Sequence, residues 1–290
     1  MINYLRKIKK RIIPHKVPSK ELLIKNYFRN GQIPWSEGYI QYKEKKIKEE
    51  LNNLILFDYQ KLSKNYGYRL DERIVEYPWT LSKLSNKKTK ILDAGSVLNY
   101  DYIINLPIFN NKELFIQTFY PENNCFFKKR ISYIYEDLRD IPFKDNFFDE
   151  IVCISTIEHI DMDNSMYGYD IEKNIDKNKK SYEYIKVINE LVRVLSNNGK
   201  LLLTFPFGKF ENHGFFQQFD EEMLNKILLI FENTGQFSIN FYKYEEYGWV
   251  FSNINECKTS ISYNPHTGEG KGTDGAAHSR AICCIEFNKN

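Results

Sequence analysis

Residues 137 to 167 concentrate the side chains of this chain best suited to chemistry: Asp137, Ser155, Thr156, Glu158, His159, Asp161, Asp163 and Tyr167. An imidazole titrates near neutrality and suits the removal of a proton from a hydroxyl, so His159 is a candidate general base. Asp161 and Tyr167 are alternative bases or acceptor ligands. The competing reading of Glu158-His159 is purely architectural, a pair that caps and packs a following helix. Asp161-x-Asp163-Asn164 resembles the start of a calcium loop, but the rest of the EF-hand pattern is absent. His213, in FGKFENHGFFQQF, is a further candidate for acceptor contact and otherwise a solvated loop residue. Arg139 could hold a phosphate, although pairing with Asp140 or Glu136 is the duller role.

These groups need a scaffold, and the surrounding pattern supplies one. Ile131 to Tyr135 is a short β-branched and aromatic run, broken by Glu136, Asp137, Arg139 and Asp140 and stopped by Pro142. Phe147 to Ser155 resumes an apolar strand, and Ser155-Thr156-Ile157-Glu158 has the cap spacing that opens a helix. Strands are expected at 90–94, 113–118, 131–135, 149–155, 200–205, 236–247 and 279–287, and helices at 181–196 and 220–233, with a short one near 99–106. Strand and helix in alternation predict an α/β fold with a mainly parallel sheet. No long helix separates the last two strands, which predicts a C-terminal antiparallel hairpin. Residues 1–88 read as a helical N-terminal extension, with Ile47, Leu51, Leu54 and Phe57 on one face, and 89–290 as the α/β domain. Ligands of open α/β sheets bind beyond the carboxyl ends of the strands, where Asp137 and Ser155 to His159 would lie.

The strand at 90–94 ends in Asp93-Ala94-Gly95, and glycine there lets backbone amides approach a ligand closely. A nucleotide-binding fingerprint asks for two further glycines, where this chain has Val97 and Asn99, and valine tolerates positive φ poorly. Two long loops, 161–180 and 252–278, stand out, and loops of that length in a compact domain are often functional. The second carries Gly268, Gly270, Gly272 and Gly275; it reads as a lid or phosphate-gripping loop, or as a plain connection.

Three stretches together carry a family resemblance: ILDAGS at 91–96, EDLRDIPFKDNFFDEIVCISTIEHI at 136–160 and INELVRVLSNNGKLLLTFPFG at 188–208. In that order and spacing the chain resembles the class I S-adenosylmethionine-dependent methyltransferases, over about 90 to 290. The resemblance implies a seven-stranded Rossmann-like sheet and S-adenosylmethionine as cofactor. It implies Gly95 and Ser96 at the amino-acid end of the cofactor, with Asp93 fixing their loop. Glu122 is the nearest candidate for the ribose. Asp137 would accept from the adenine amine, Leu138 would lie against the ring, and Ser155 and Thr156 would line the methionine side. A sulfonium ion also favours aromatic faces. Glu72, Arg73, Glu76, Tyr77 and Trp79 sit where N-terminal helices of such enzymes cover the cofactor, or act as packing anchors. LDERIVEYPW, STIEHIDMDN and TFPFG further resemble a bacterial subgroup linked to surface-polysaccharide synthesis. That implies a small-molecule or glycan acceptor and O-methylation of a sugar or phosphorylated group.

Val97 and Asn99 keep a rival open, a non-catalytic methyltransferase-like partner protein, since fold alone does not establish function. A nicotinamide-dependent enzyme predicts a fuller glycine fingerprint and an acid closing the second strand. A net charge of only +3 and the lack of an NPPY-type motif argue against nucleic acid. The five cysteines form no metal-ligand spacing, nothing calls for a metal, and their odd, patternless number fits a reducing, cytoplasmic setting. Arg6, Lys7, Lys9, Lys10 and Arg11 alternate with Leu5, Ile8, Ile12 and Ile13, a pattern suited either to an anionic membrane surface or to a solvated helix.

Overall fold

A computed structural model describes residues 18–165 and 175–290. Three helices come first, α1 (Lys20–Arg29), α2 (Tyr39–Asn52) and α3 (Arg73–Lys83). Then follow β1 (Thr89–Ala94), α4 (Asp101–Ile104), β2 (Lys112–Thr118), β3 (Ser132–Tyr135) and β4 (Phe148–Ile154). Helix α5 (Tyr184–Val194) leads into β5 (Leu195–Pro206), and β6 (Glu211–Asn212) and β7 (Gln217–Gln218) form a small ribbon. The chain ends with α6 (Glu221–Thr234), β8 (Gly235–Glu245), β9 (Gly248–Ser252), α7 (Ile254–Cys257) and β10 (Ala281–Lys289).

The main sheet has eight strands in the order β3-β2-β1-β4-β5-β10-β8-β9. The first five run parallel, while β10 is antiparallel to both β5 and β8. The expected count of seven is therefore corrected to eight. The run 236–247 does not continue as one strand: it turns at Glu246 and Tyr247, Gly248 takes φ +130°, and the short β9 folds back on β8. Strand order reverses between β1 and β4, which makes their carboxyl ends the switch point where a crevice opens.

Strand alternation divides the interior into two cores. Leu92, Ile151, Cys153, Leu201, Leu203 and Phe205 face one way, against Tyr184, Val187, Ile188 and Leu191 of α5 and Met223, Leu224, Ile227 and Phe231 of α6. Those eight helical side chains, at roughly 1.5–3 kcal/mol each, contribute on the order of 15 kcal/mol before entropy is counted. Ile91, Val152, Ile154, Leu202, Ile282 and Cys284 face the other way, against Ile47 and Leu51 of α2 and Ile74, Val75, Tyr77, Trp79 and Leu81 of α3. The helices before β1 thus form the second layer of the sheet. Of the face expected at 41–57, Ile47 and Leu51 are buried and Leu54 and Phe57 half-buried, with the helix breaking at Asn53.

Cys153, Cys257, Cys283 and Cys284 are buried, Cys125 is exposed, and all five are free thiols. No helix among the described residues is long and apolar enough to cross a membrane. The basic segment Arg6 to Ile13 lies outside the described residues, as does Tyr167.

Candidate functional site

A cavity of about 560 Å³ opens at the switch point. Its walls include Arg73 and Tyr77 from α3, the turn Gly95 to Val97 after β1, Gln117 to Glu122 at the end of β2, Asp137 to Arg139 after β3, and Ser155, Thr156 and His159 to Met162 after β4. Of the residues singled out from sequence, Gly95, Ser96, Glu122, Asp137, Leu138, Ser155, Thr156, His159 and Asp161 all line this one space.

The β1 turn explains itself. Gly95 adopts φ +117° and Ser96 φ +60°, so the left-handed backbone falls on these two residues and Val97 escapes it. A Cβ on Gly95 would overlap Thr156 Oγ1 and lie 2.6 Å from its Cγ2. The two turns that flank the crevice therefore touch through the missing side chain. Asp93 does not line the cavity. It is buried beneath the turn and accepts from the amides of Val97 (3.1 Å) and Leu98 (2.8 Å). Burial pushes its carboxyl up to about 7, against the pull of those two amides. A folded-state value above the unfolded one means that stability present in acid is lost as pH climbs through about 7. Asp93→Asn should remove that loss, and urea unfolding at pH 5 and pH 8 should show a smaller pH difference than in the parent.

Asn99 is buried and joins two loops. Its amide donates to Glu122 Oε2 (3.0 Å) and to the Asn124 carbonyl (3.0 Å), and its Oδ1 accepts from Tyr133 OH (3.1 Å). What looks in sequence like a lost glycine is a side chain that holds Glu122 at the cavity rim. Ser96 Oγ and Gln117 Oε1, both buried in the cavity wall, have no hydrogen-bond partner among the described residues. Buried polar atoms without partners are uncommon and costly, so they mark a place where a ligand's polar groups fit.

At the far wall, Asp137 meets a cation. The Arg139 guanidinium donates from Nη2 to Asp137 Oδ2 (2.7 Å) and from Nε to both carboxylate oxygens (3.1 Å each), while Nη1 reaches Glu183 (3.1 Å). The expected partners of Arg139, Asp140 and Glu136, are thus replaced by Asp137 and Glu183. Any adenine contact would share the Asp137 carboxylate with Arg139.

The end of β4 departs from expectation. Among the described residues no regular helix opens at Ser155; a single tight turn, Ile157–His159, follows, and Thr156 makes no side-chain capping bond. Ser155 sits at φ +38° and donates its hydroxyl to Glu76 Oε1 (2.6 Å), so the hydroxyl that was to cap is taken by α3. His159 Nδ1 lies 2.8 Å from the Phe215 carbonyl. A carbonyl only accepts, so Nδ1 carries the proton and the neutral ring keeps its lone pair on Nε2. Burial lowers the imidazole to about 4, a shift the carbonyl bond partly opposes. Asp161 accepts from Ser181 Oγ (2.8 Å), and Asn164 donates to the His159 carbonyl (3.1 Å).

His213 lies outside the cavity lining, stacked on Phe216 at 4.7 Å with Nε2 beside Ser262 Oγ (2.9 Å). The loop 252–278 supplies no lining residue either, and Tyr263, Ala276 and Ala277 within it are buried. Lining residues passed over in sequence include Gln117, Tyr100, Ile160 and Met162. Gln117 has a legible trace, as the polar residue inside the apolar run LFIQT.

Residues 115–203 match the family model described as methyltransferase domain. The match runs from within β2 to within β5 and includes Gln117, Asp137 and the whole Ser155 to Asp161 turn. An uncharacterised protein of Methanocaldococcus jannaschii is 30% identical over 148 residues, which is 50% of this chain and 53% of the relative. The chain thus matches about half the length of that curated relative. Among solved structures, the 1,6-didemethyltoxoflavin-N1-methyltransferase of Burkholderia thailandensis aligns over 93% of this chain and 87% of its own, at 9% identity and TM-score 0.42. The N-methyltransferase NodS of Bradyrhizobium japonicum aligns over 84% and 98%, at 12% identity and TM-score 0.42.

Proposed function

We propose that this protein transfers a methyl group from S-adenosylmethionine to a hydroxyl of a small polar acceptor. The observation that carries the reading is the cavity at the switch point, where the Gly95 turn meets the Ser155 turn and His159, the latter two within the methyltransferase-domain match. The bound cofactor supplies an electrophilic methyl group on a sulfonium. The protein's part is to orient the acceptor, exclude water and take up a proton. Ser96 Oγ and the Gly95 turn would hold the amino-acid end, Glu122 the ribose, and Asp137 with Leu138 the adenine. His159 Nε2 would accept the acceptor's hydroxyl proton. Asp161 and Asn164, on the same wall, would contact the acceptor. A sugar or phosphorylated group of a surface polysaccharide is the proposed acceptor, supported by the resemblance of the 70–79, 155–164 and 204–208 stretches.

The non-catalytic alternative loses its motivation, because Val97 needs no positive φ and Asn99 is put to use. Calorimetric titration with S-adenosylhomocysteine tests the reading directly. Binding in the micromolar range is expected, and Asp137→Ala should weaken it about tenfold or more, the scale of one charge-assisted hydrogen bond. No heat at millimolar ligand would overturn the proposal.

A further inference from the structure

Glu76 lies in the first turn of α3, in the segment before the first strand, yet its carboxylate ends against Ser155, behind the cavity wall. It is completely buried and absent from the cavity lining. Oε1 accepts two hydroxyls, Ser155 Oγ at 2.6 Å and Thr204 Oγ1 at 2.7 Å, while Oε2 pairs with Arg73 one turn earlier. Ser155 N donates to the Thr204 carbonyl (2.9 Å) and to Thr204 Oγ1 (3.3 Å), so the ends of β4 and β5 and helix α3 meet in one closed set of bonds.

Ser155 needs such a set. A serine at φ +38° sits in backbone space that non-glycine residues rarely occupy, and such a conformation persists only where its surroundings over-determine it. The next residue, Thr156, fills the space left by the missing Cβ of Gly95. The order of contact is Glu76 to Ser155, Ser155 to Thr156, and Thr156 to Gly95. The gap between the two turns that face the ligand is therefore gauged by a carboxylate that never touches it.

We infer that Glu76 is a positioning residue, which sets the spacing of the methyl-donor pocket from outside it through the hydroxyls of Ser155 and Thr204. The inference rests on the proposed S-adenosylmethionine site. Thr204 gives the cleanest probe, because it is fully buried, lies outside the cavity lining and differs from valine by one hydroxyl.

In Thr204→Val, Oε1 of Glu76 loses one donor and Ser155 N loses its second acceptor. Its dissociation constant for S-adenosylhomocysteine, by calorimetry at 15 °C, should rise about fivefold or more over the parent, and Thr204→Ser should recover most of it. Glu76→Gln should weaken binding as well, with circular dichroism confirming the fold. If Glu76→Gln fails to fold, the Thr204 pair still decides. A lower melting temperature in Thr204→Val with an unchanged dissociation constant would reduce the set to packing and overturn the inference. Failure of the parent itself to bind S-adenosylhomocysteine would instead strike the functional reading, so the two failures are distinguishable.

Discussion

Gly95→Ala should lose detectable S-adenosylhomocysteine binding and unfold at markedly lower denaturant. Two costs coincide at this position. Alanine at φ +117° occupies backbone space that L residues rarely adopt, worth about 1–3 kcal/mol. Its methyl group would also overlap Thr156 Oγ1, which is itself held by a bond to the Ile154 carbonyl (3.0 Å). The combined destabilisation should reach about 3 kcal/mol, with the turn displaced toward the ligand space. Adding Thr156→Ala should recover part of the stability by removing the Oγ1 and Cγ2 overlap, leaving the backbone cost and the 2.9 Å approach to Cβ in place. Urea unfolding of the parent, the single variants and the double variant measures both parts. A Gly95→Ala protein that binds S-adenosylhomocysteine like the parent would show that the turn does not face the ligand.

The second large effect concerns His159. His159→Gln should leave S-adenosylhomocysteine affinity within about twofold and reduce turnover about 10²- to 10³-fold, the usual contribution of a general base. The pH profile carries a sharper expectation. With the imidazole lowered to about 4, the ring stays neutral, and able to accept a proton, through the whole range above pH 5. The acid limb of kcat/KM should therefore fall only below about pH 5, where an ordinary histidine would bring it down near 6.5. An acid limb near 6.5 would point to a different titrating group, and unchanged turnover in His159→Gln would remove His159 from the mechanism.

Much of this site is legible in the sequence because its groups follow strands. Apolar runs ending in Asp93-Ala94-Gly95, Tyr135 and Ser155 place their terminal residues at one sheet edge, and the structure gathers them there. What escapes reading comes from contacts between segments far apart in the chain. Ser155 reads as a helix cap because the sequence shows only its neighbours; the Glu76 carboxylate that takes its hydroxyl is 79 residues away. Arg139 reads as the partner of adjacent acids, but the side chain reaches Asp137 and Glu183, the latter across 44 residues. Asn99 counts against the glycine pattern until Glu122, Asn124 and Tyr133 are seen around it. Strand β9 stays hidden because it is short and half-exposed, so its pattern merges with that of β8.

The sheet order also makes one strand the link between its two parts. The hairpin β8–β9 meets the rest of the sheet only through β10, which is also the neighbour of β5. Until residues 281–289 are available, β5 and β8 each present an unsatisfied row of backbone groups with apolar residues behind it. Pairing β10 with β5 joins positions about 80 residues apart, a non-local closure that slows folding. One strand, β10, thus lies between two edges and closes both at once.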